Sequence, residues 1–193
     1  MEIINRVKNI LITPKTEWTA IEGENTPHAK LFTTYVLSLA VIPAIAAFIG
    51  YGLIGYSIFG IRVGSIGLGI RQAIIQFIVS AGGVYLTAVI INFLAENFGA
   101  KKNFDKAFSL VAYAYTPMFI GGIFYILPSL SILASLAGIY GLYLLYIGLK
   151  PLMNSPEDKT TVYFVISLLA MIVVYAALGF VLGIVLLNAA LLV

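Results

Sequence analysis

Cysteine is missing from this 193-residue chain, and histidine occurs once, at His28. The first absence excludes disulfides, thiolate catalysis and cysteine-held zinc or iron–sulfur centres. The second leaves too few ligands for a histidine metal site. Charge is scarce as well: Asp, Glu, Lys and Arg make up 10% of the chain, against about a quarter of an ordinary soluble domain. The long apolar runs contain no Asp, and Glu96 is the only Glu near one. A charge at the bilayer centre costs about 2.5–3.5 kcal/mol on insertion scales, so chains that keep one there usually use it. This scarcity argues against proton-coupled or sodium-coupled transport and against an intramembrane aspartyl protease. The sequence also has no GxxxxGK[ST] phosphate loop, no HExxH and no GxSxG elbow. No catalytic residue, cofactor or metal is expected, and no nucleophile and base pair points to an enzyme acting on lipids.

What is present is apolar: 61% of residues are hydrophobic and the mean hydropathy is +1.04. Five runs, 31–55, 70–95, 107–127, 129–149 and 162–187, each supply the ~20 residues that a helix needs to cross ~30 Å of hydrocarbon. The expected fold is all-α: a polytopic membrane protein with five transmembrane helices in residues 31–193, preceded by a cytoplasmic interfacial segment over 1–30. The third and fourth runs are separated only by residues around Pro128 and should form a tight antiparallel hairpin. Nine Lys and Arg fall on the side of the N-terminus (Arg6, Lys8, Lys15, Lys30, Lys101, Lys102, Lys106, Lys150, Lys159), and only Arg62 and Arg71 fall opposite. Basic short loops stay in the cytoplasm, which predicts the N-terminus inside and the C-terminus outside. The basic residues are spread over loops, not gathered on one face, so nucleic acid is not an expected partner.

The first thirty residues mix acidic and basic groups, unlike a cleaved secretory signal, so the first span is expected in the mature protein. "MEIINRVKNIL" places Ile3, Ile4, Val7, Ile10 and Leu11 at helical spacing, with Arg6 and Lys8 elsewhere on the wheel. This predicts an amphipathic helix whose basic face meets lipid head groups. Pro14 suits the first position of a second short helix capped by Thr13, and Trp18 would anchor at the head-group level. The alternative is that both helices pack under the bundle.

Several motifs carry two readings. "GYGLIG" (50–55) matches GxGxxG, but it closes an apolar helix and no acidic residue follows about twenty positions later. A dinucleotide site is therefore excluded, and a glycine-rich outer loop is expected. Gly179 and Gly183 form GxxxG in the fifth run, and Ala137 and Gly141 are spaced likewise in the fourth. Both suit close helix packing, within the chain or between copies. Gln72, Gln76, Asn92 and Asn188 are polar residues in or near spans, suited to bonds between helices. Glu96 shares a predicted membrane face with Lys101, Lys102 and Lys150 and is a candidate for a charge network, with solvated loop ends as the alternative. Pro43 and Pro117 each remove the N–H that would serve the carbonyl four residues back, Leu39 and Tyr113 respectively. Kinks are expected at both. For Tyr113 the replacement donors would be Thr116, or Tyr140 or Tyr143 of the hairpin partner.

"NILITPKTEWTAIEGE" before the first span, "FDKAFSLVAYAYTP" entering the third and "GIYGLYLLYIGLKPLMNSPEDK" ending the fourth together resemble the Yip family, the Ypt/Rab-interacting membrane proteins, over essentially the whole chain. The resemblance implies a five-span helical protein with a cytosolic N-terminus and no catalytic residue or cofactor. Eukaryotic members are trafficking factors that bind Rab-type GTPases and partner membrane proteins. This chain lacks their long N-terminal region with its Asp-Leu-Tyr-Gly-Pro motif, and Ala112-Tyr113 stands where they have Gly-Tyr. Rab-type GTPase binding is accordingly not carried over. The short N-terminus and "TPKTEW" resemble the prokaryotic branch, which implies a multi-pass protein of the cytoplasmic membrane. The expected function is non-enzymatic: organising or binding other membrane proteins, possible further copies of itself among them, or shaping the bilayer. The rival is a channel or small-solute transporter with a path lined by Gln72, Gln76, Asn92 and the tyrosines at 140, 143 and 146.

Overall fold

A computed structural model of the protein describes residues 3–191, with side chains given throughout except for Ile58 and from residue 178 onward. Two short helices, α1 (Ile3–Ile12) and α2 (Pro14–Glu22), lead into five helices apolar and long enough to span a membrane. The spans are His28–Ile54, Ile66–Phe98, Phe104–Ile126, Pro128–Met153 and a last helix, Glu157–Leu191. The protein is thus an all-α polytopic membrane protein. Helical structure runs past the apolar runs because polar residues set its ends. Ser65 accepts a bond from the Leu68 N–H at 3.2 Å, and Asn103 accepts one from the Lys106 N–H at 3.2 Å. Each satisfies an otherwise orphaned donor of a first turn. Asn154 closes the fourth span in the left-handed region, φ 49°.

The glycine-rich stretch after the first span is not a plain loop. It folds into a hairpin of β1 (Tyr56–Ile58) and β2 (Ile61–Val63), in the register Tyr56↔Val63, Ser57↔Arg62, Ile58↔Ile61. Phe59 and Gly60 between the strands both take positive φ, 50° and 81°, as a turn matched to strand twist requires. Arg62 donates to the carbonyls of Leu53 and Ile54 (3.2 and 2.6 Å), capping the first span's open end. The glycines of "GYGLIG" serve packing: a Cβ on Gly50 would lie 2.0 Å from the Tyr125 carbonyl oxygen.

At the centre stands the third span. It is the least apolar of the five, with hydropathy 1.5 against 1.9 to 2.2, yet 72% of its most apolar stretch is buried against 22–39% in the others. Lipid explains the inversion, since faces toward acyl chains must be apolar, whereas an interior face is selected for fit and hydrogen bonding. Every residue from Ala107 to Ala114 is buried. The fourth span lies against this helix along the Ala137 and Gly141 face. A Cβ on Gly141 would come within 2.9 Å of the Ala114 carbonyl, and one on Gly121 within 2.5 Å of the Ala137 methyl. That small-residue face is therefore used within the chain. Gly179 and Gly183 belong to the last helix, but their packing lies outside the described residues, as does that of Asn188.

The two prolines act differently. Pro43 is buried within the helix Leu37–Ala47, flanked by wider π-type turns at Phe32–Val36 and Phe48–Ile54, and its ring lies against Gly122. Pro117 does not bend a continuous helix. The helix Phe104–Ala114 ends at Tyr115, and Pro117 sits in the first turn of a new helix, Thr116–Gly121, where its missing N–H costs little. The donors expected for Tyr113 are engaged elsewhere. The Thr116 hydroxyl pairs with that of Tyr35 at 2.7 Å, and Tyr140 donates to the Leu11 carbonyl at 2.8 Å. Tyr143 is exposed and stacks on Tyr140.

Candidate functional site

Residues of α1 and α2 meet the third span at a buried charged node. Arg6 is 4% exposed, donates to Glu17 at 2.5 Å and also pairs with Glu24. Its guanidinium lies 5.1 Å from the centre of the Tyr113 ring. Tyr113 is nine residues into its helix, about 14 Å along the axis at 1.5 Å per residue. Burial disfavours the Arg6 charge, the hydrogen bond to Glu24 and the field of both carboxylates favour it, and the balance raises its pKa above the ordinary arginine value. The alternative, that α1 packs under the bundle, describes the arrangement: Ile10 is buried with Val7 and Leu11 against the core, Arg6 turns inward instead of toward head groups, and Ile4, Lys8 and Ile12 are exposed. The physical reason is that two carboxylates of the following segment supply a better counter-charge than head groups do.

Trp18, expected at the head-group level, is 1% exposed. It packs edge-on to Tyr113 with ring centroids 6.5 Å apart, and a Cβ on Gly148 would touch its ring. Its large apolar ring fills the gap that Gly148 leaves, at the cost of an indole N–H with no partner among the described residues. Pro14 opens α2 as expected, but Thr13 does not cap it; the Thr13 hydroxyl donates back to Asn9 at 3.2 Å. Lys106 donates to the carbonyls of Glu22 and Glu24, both at 2.6 Å, closing the end of α2. His28 and Asp105 pair at 2.6 Å and join the starts of the first and third spans. Around the node lies a cleft of about 170 Å³ bordered by Arg6, Glu24, Lys30, Tyr35 and Tyr113. Thus the node brings together Trp18, Tyr113 and, through Tyr140 and Gly148, all three stretches that carry the family resemblance.

Among the described residues, Glu96 and Lys150 pair neither with each other nor with this node. Glu96 sits 3.6 Å from Lys102, with both side chains exposed, and Lys150 pairs with Glu157 instead. Exposed pairs of this kind are screened by water and contribute little to stability.

A second polar cluster, unsuspected from sequence, joins the second, third and fifth spans. The Thr87 hydroxyl lies 2.8 Å from that of Tyr115 and 3.1 Å from that of Tyr175, which donates to the Gly83 carbonyl at 2.9 Å. Next to it is a cavity of about 290 Å³ whose lining includes Gln76, Ser80 and Tyr125. Gln72 lines a different cavity, beside Tyr56 and Pro128, and the two share no lining residue. Beyond Thr87 the bundle is tightly closed, with Ala88, Ile91, Phe108, Val111, Leu149 and Tyr163 all fully buried. The buried Asn92 carbonyl oxygen has no partner among the described residues, so it makes no bond between helices. Tyr143 and Tyr146 are exposed on the fourth span, and neither lines the cavity of either glutamine.

Fold and node together define a five-span helical membrane protein whose N-terminal helix pair is pinned against its central span by buried charges. Residues 8–191 match the Yip1 domain, and the chain belongs to the Yip1 family. It is similar to the inner membrane protein YohC of Escherichia coli K12 and to YohC of Escherichia coli O6:H1. Each is 28% identical over 162 residues, covering 81% of this chain and 83% of the relative. No solved structure matches the chain.

Proposed function

We propose that this Yip1-family protein is non-enzymatic and organises other membrane proteins in a prokaryotic cytoplasmic membrane, with its N-terminus inside and C-terminus outside. One observation carries the reading: the charged node and the two hydroxyl clusters are turned inward on their own members. Arg6 is spent on Glu17 and Glu24, Thr116 on Tyr35, and Thr87 on Tyr115 and Tyr175. Groups so engaged are poorly placed to carry an ion or perform chemistry, whereas they hold the spans and the N-terminal helices in one fixed arrangement. A rigid helical body with α1 held in place presents constant surfaces to partners. The YohC relatives, named as inner membrane proteins, support the location.

Small-solute transport is the second reading, favoured by the cavity at Gln76 and Ser80. It requires the closed layer at Ile91, Phe108 and Tyr163 to open. Affinity capture from native membranes at native abundance, beside solute release from proteoliposomes, separates the two. The proposal expects a reproducible protein partner and no release above empty vesicles; release without a partner reverses the choice. A reporter fused after Val193 should be active outside the cytoplasm, and cytoplasmic activity would overturn the orientation.

A further inference from the structure

Two cavities share a wall, both largely apolar, and the smaller carries more polar side chains. The one beside Gln76 and Ser80, about 290 Å³, is lined by second-span residues and by Tyr115, Met118, Tyr125 and Tyr175. The other, about 530 Å³, lies among the third, fourth and fifth spans and is lined by such residues as Gly138, Ile139, Leu142, Leu168 and Met171. Tyr115, Met118 and Tyr175 line both, so the tyrosine side chains stand at the junction. Among the described residues, no Asp, Glu, Lys, Arg or His lines either cavity. In the smaller one, hydrogen-bonding capacity is left over. The Gln76 amide donates to Ser80 at 3.3 Å and makes no other bond among the described residues, although an amide offers two donors and an acceptor. Tyr125, half-buried in the same wall, makes no side-chain hydrogen bond among the described residues. Pockets that hold small molecules are mostly apolar, with a few convergent polar groups that fix orientation, and run to about 300–1,000 Å³. An apolar chamber leading to one that adds a few uncharged polar groups has the form of an amphiphile.

We infer that the paired cavities bind a single-chain lipid with an uncharged, hydroxyl-bearing head such as a monoacylglycerol. The acyl chain lies between the third, fourth and fifth spans, and the head bonds to Gln76, Ser80 and Tyr125. A phosphate or carboxylate head is disfavoured, because no cation lines the chamber to offset its desolvation. This site goes beyond the partner-organising role and does not depend on it.

The test uses the full chain in nanodiscs and a monoacylglycerol carrying a diazirine in its acyl chain. Irradiation should label residues of the third and fourth spans, and excess unlabelled monoacylglycerol should suppress the labelling. The lysophosphatidic acid of the same chain should compete poorly. Gly138→Leu should abolish labelling without loss of thermal stability, because a Cβ there meets only Met118, at 3.9 Å, and the added side chain fills the apolar chamber. Gly82→Leu, placed where a Cβ meets nothing within 4 Å, should leave labelling unchanged. Gln76→Leu should weaken monoacylglycerol binding about fivefold, the equivalent of one net hydrogen bond, and leave competition by the fatty acid methyl ester unaffected. Labelling spread evenly over all lipid-facing surfaces would overturn the inference. So would equal labelling of Gly138→Leu and the native chain, or equal competition by the phosphate-headed lipid.

Discussion

Arg6→Met keeps most of the apolar stem of the side chain and removes its charge, leaving Glu17 buried without a cation. Breaking a buried pair in this way costs about 3–5 kcal/mol, and the contact with Tyr113 adds to the loss. The chain has an escape: α1 and α2 can leave the bundle and return Glu17 to water, so the visible cost is capped by the free energy that holds the two helices in place. A loss of about 3 kcal/mol lowers the ratio of docked to undocked helices roughly a hundredfold. Hydrogen exchange over residues 3–22 in detergent should therefore accelerate by about that factor, while the spans stay protected. The partners rank by burial. Glu17→Gln keeps an acceptor beside Arg6 but loses its charge, and should cost about 1–3 kcal/mol. Glu24, whose side chain is 37% exposed, should cost at most about 1 kcal/mol as Gln. Arg6→Met combined with Glu17→Leu should restore much of the protection lost in Arg6→Met alone, because the one carboxylate left without its cation, Glu24, is partly exposed to water. Unchanged exchange over residues 3–22 in Arg6→Met, or no difference between the Glu17 and Glu24 variants, would refute this account of the node.

Gly122→Ala should destabilise the bundle by about 1–3 kcal/mol through overpacking, since its Cβ would fall 2.5 Å from that of Pro43. Gly82→Ala, with open space around it, should be neutral or raise the melting temperature through the ~1 kcal/mol helix preference of alanine. Similar melting shifts for the two in detergent would contradict the packing described here. Thr87→Val removes the hydroxyl shared by Tyr115 and Tyr175, and its cost should fall near the ~0.6–1.7 kcal/mol of hydrogen bonds between membrane helices. A loss well above that range, measured by denaturant unfolding, would mean that the cluster acts as more than a cross-link.

The spans were readable because lipid demands long apolar runs, and each run declares itself locally. Amphipathic spacing in α1 was equally plain, but a helical wheel does not say whether Arg6 meets head groups or carboxylates eleven and eighteen residues onward. One signal was available: Glu17 and Ile21 share a face of α2 with Trp18 close by, so a carboxylate stood within an apolar stripe and called for a cation. The hairpin is hard to read because glycines crowd the stretch around "YSIFGIRV", where two segments of only three residues flank a Phe-Gly turn. Thr87, Tyr115 and Tyr175 come from three spans, and no spacing in the chain links them. Pro117 illustrates a different limit. Its lost hydrogen bond was certain from chemistry, whereas its place at the start of a new helix depended on Tyr115 ending the previous one.

Photo-crosslinking in native membranes tests the central claim, that this protein organises other membrane proteins, most directly. A crosslinking residue placed in turn along the exposed face of the second span, at Ile70, Ile74 and Ile78, and on α1 at Ile4 and Ile12, reports what touches each surface. The account predicts a discrete protein adduct that recurs at neighbouring positions on one face and is missing from the others. Lipid adducts alone, at every position and in every preparation, would contradict it.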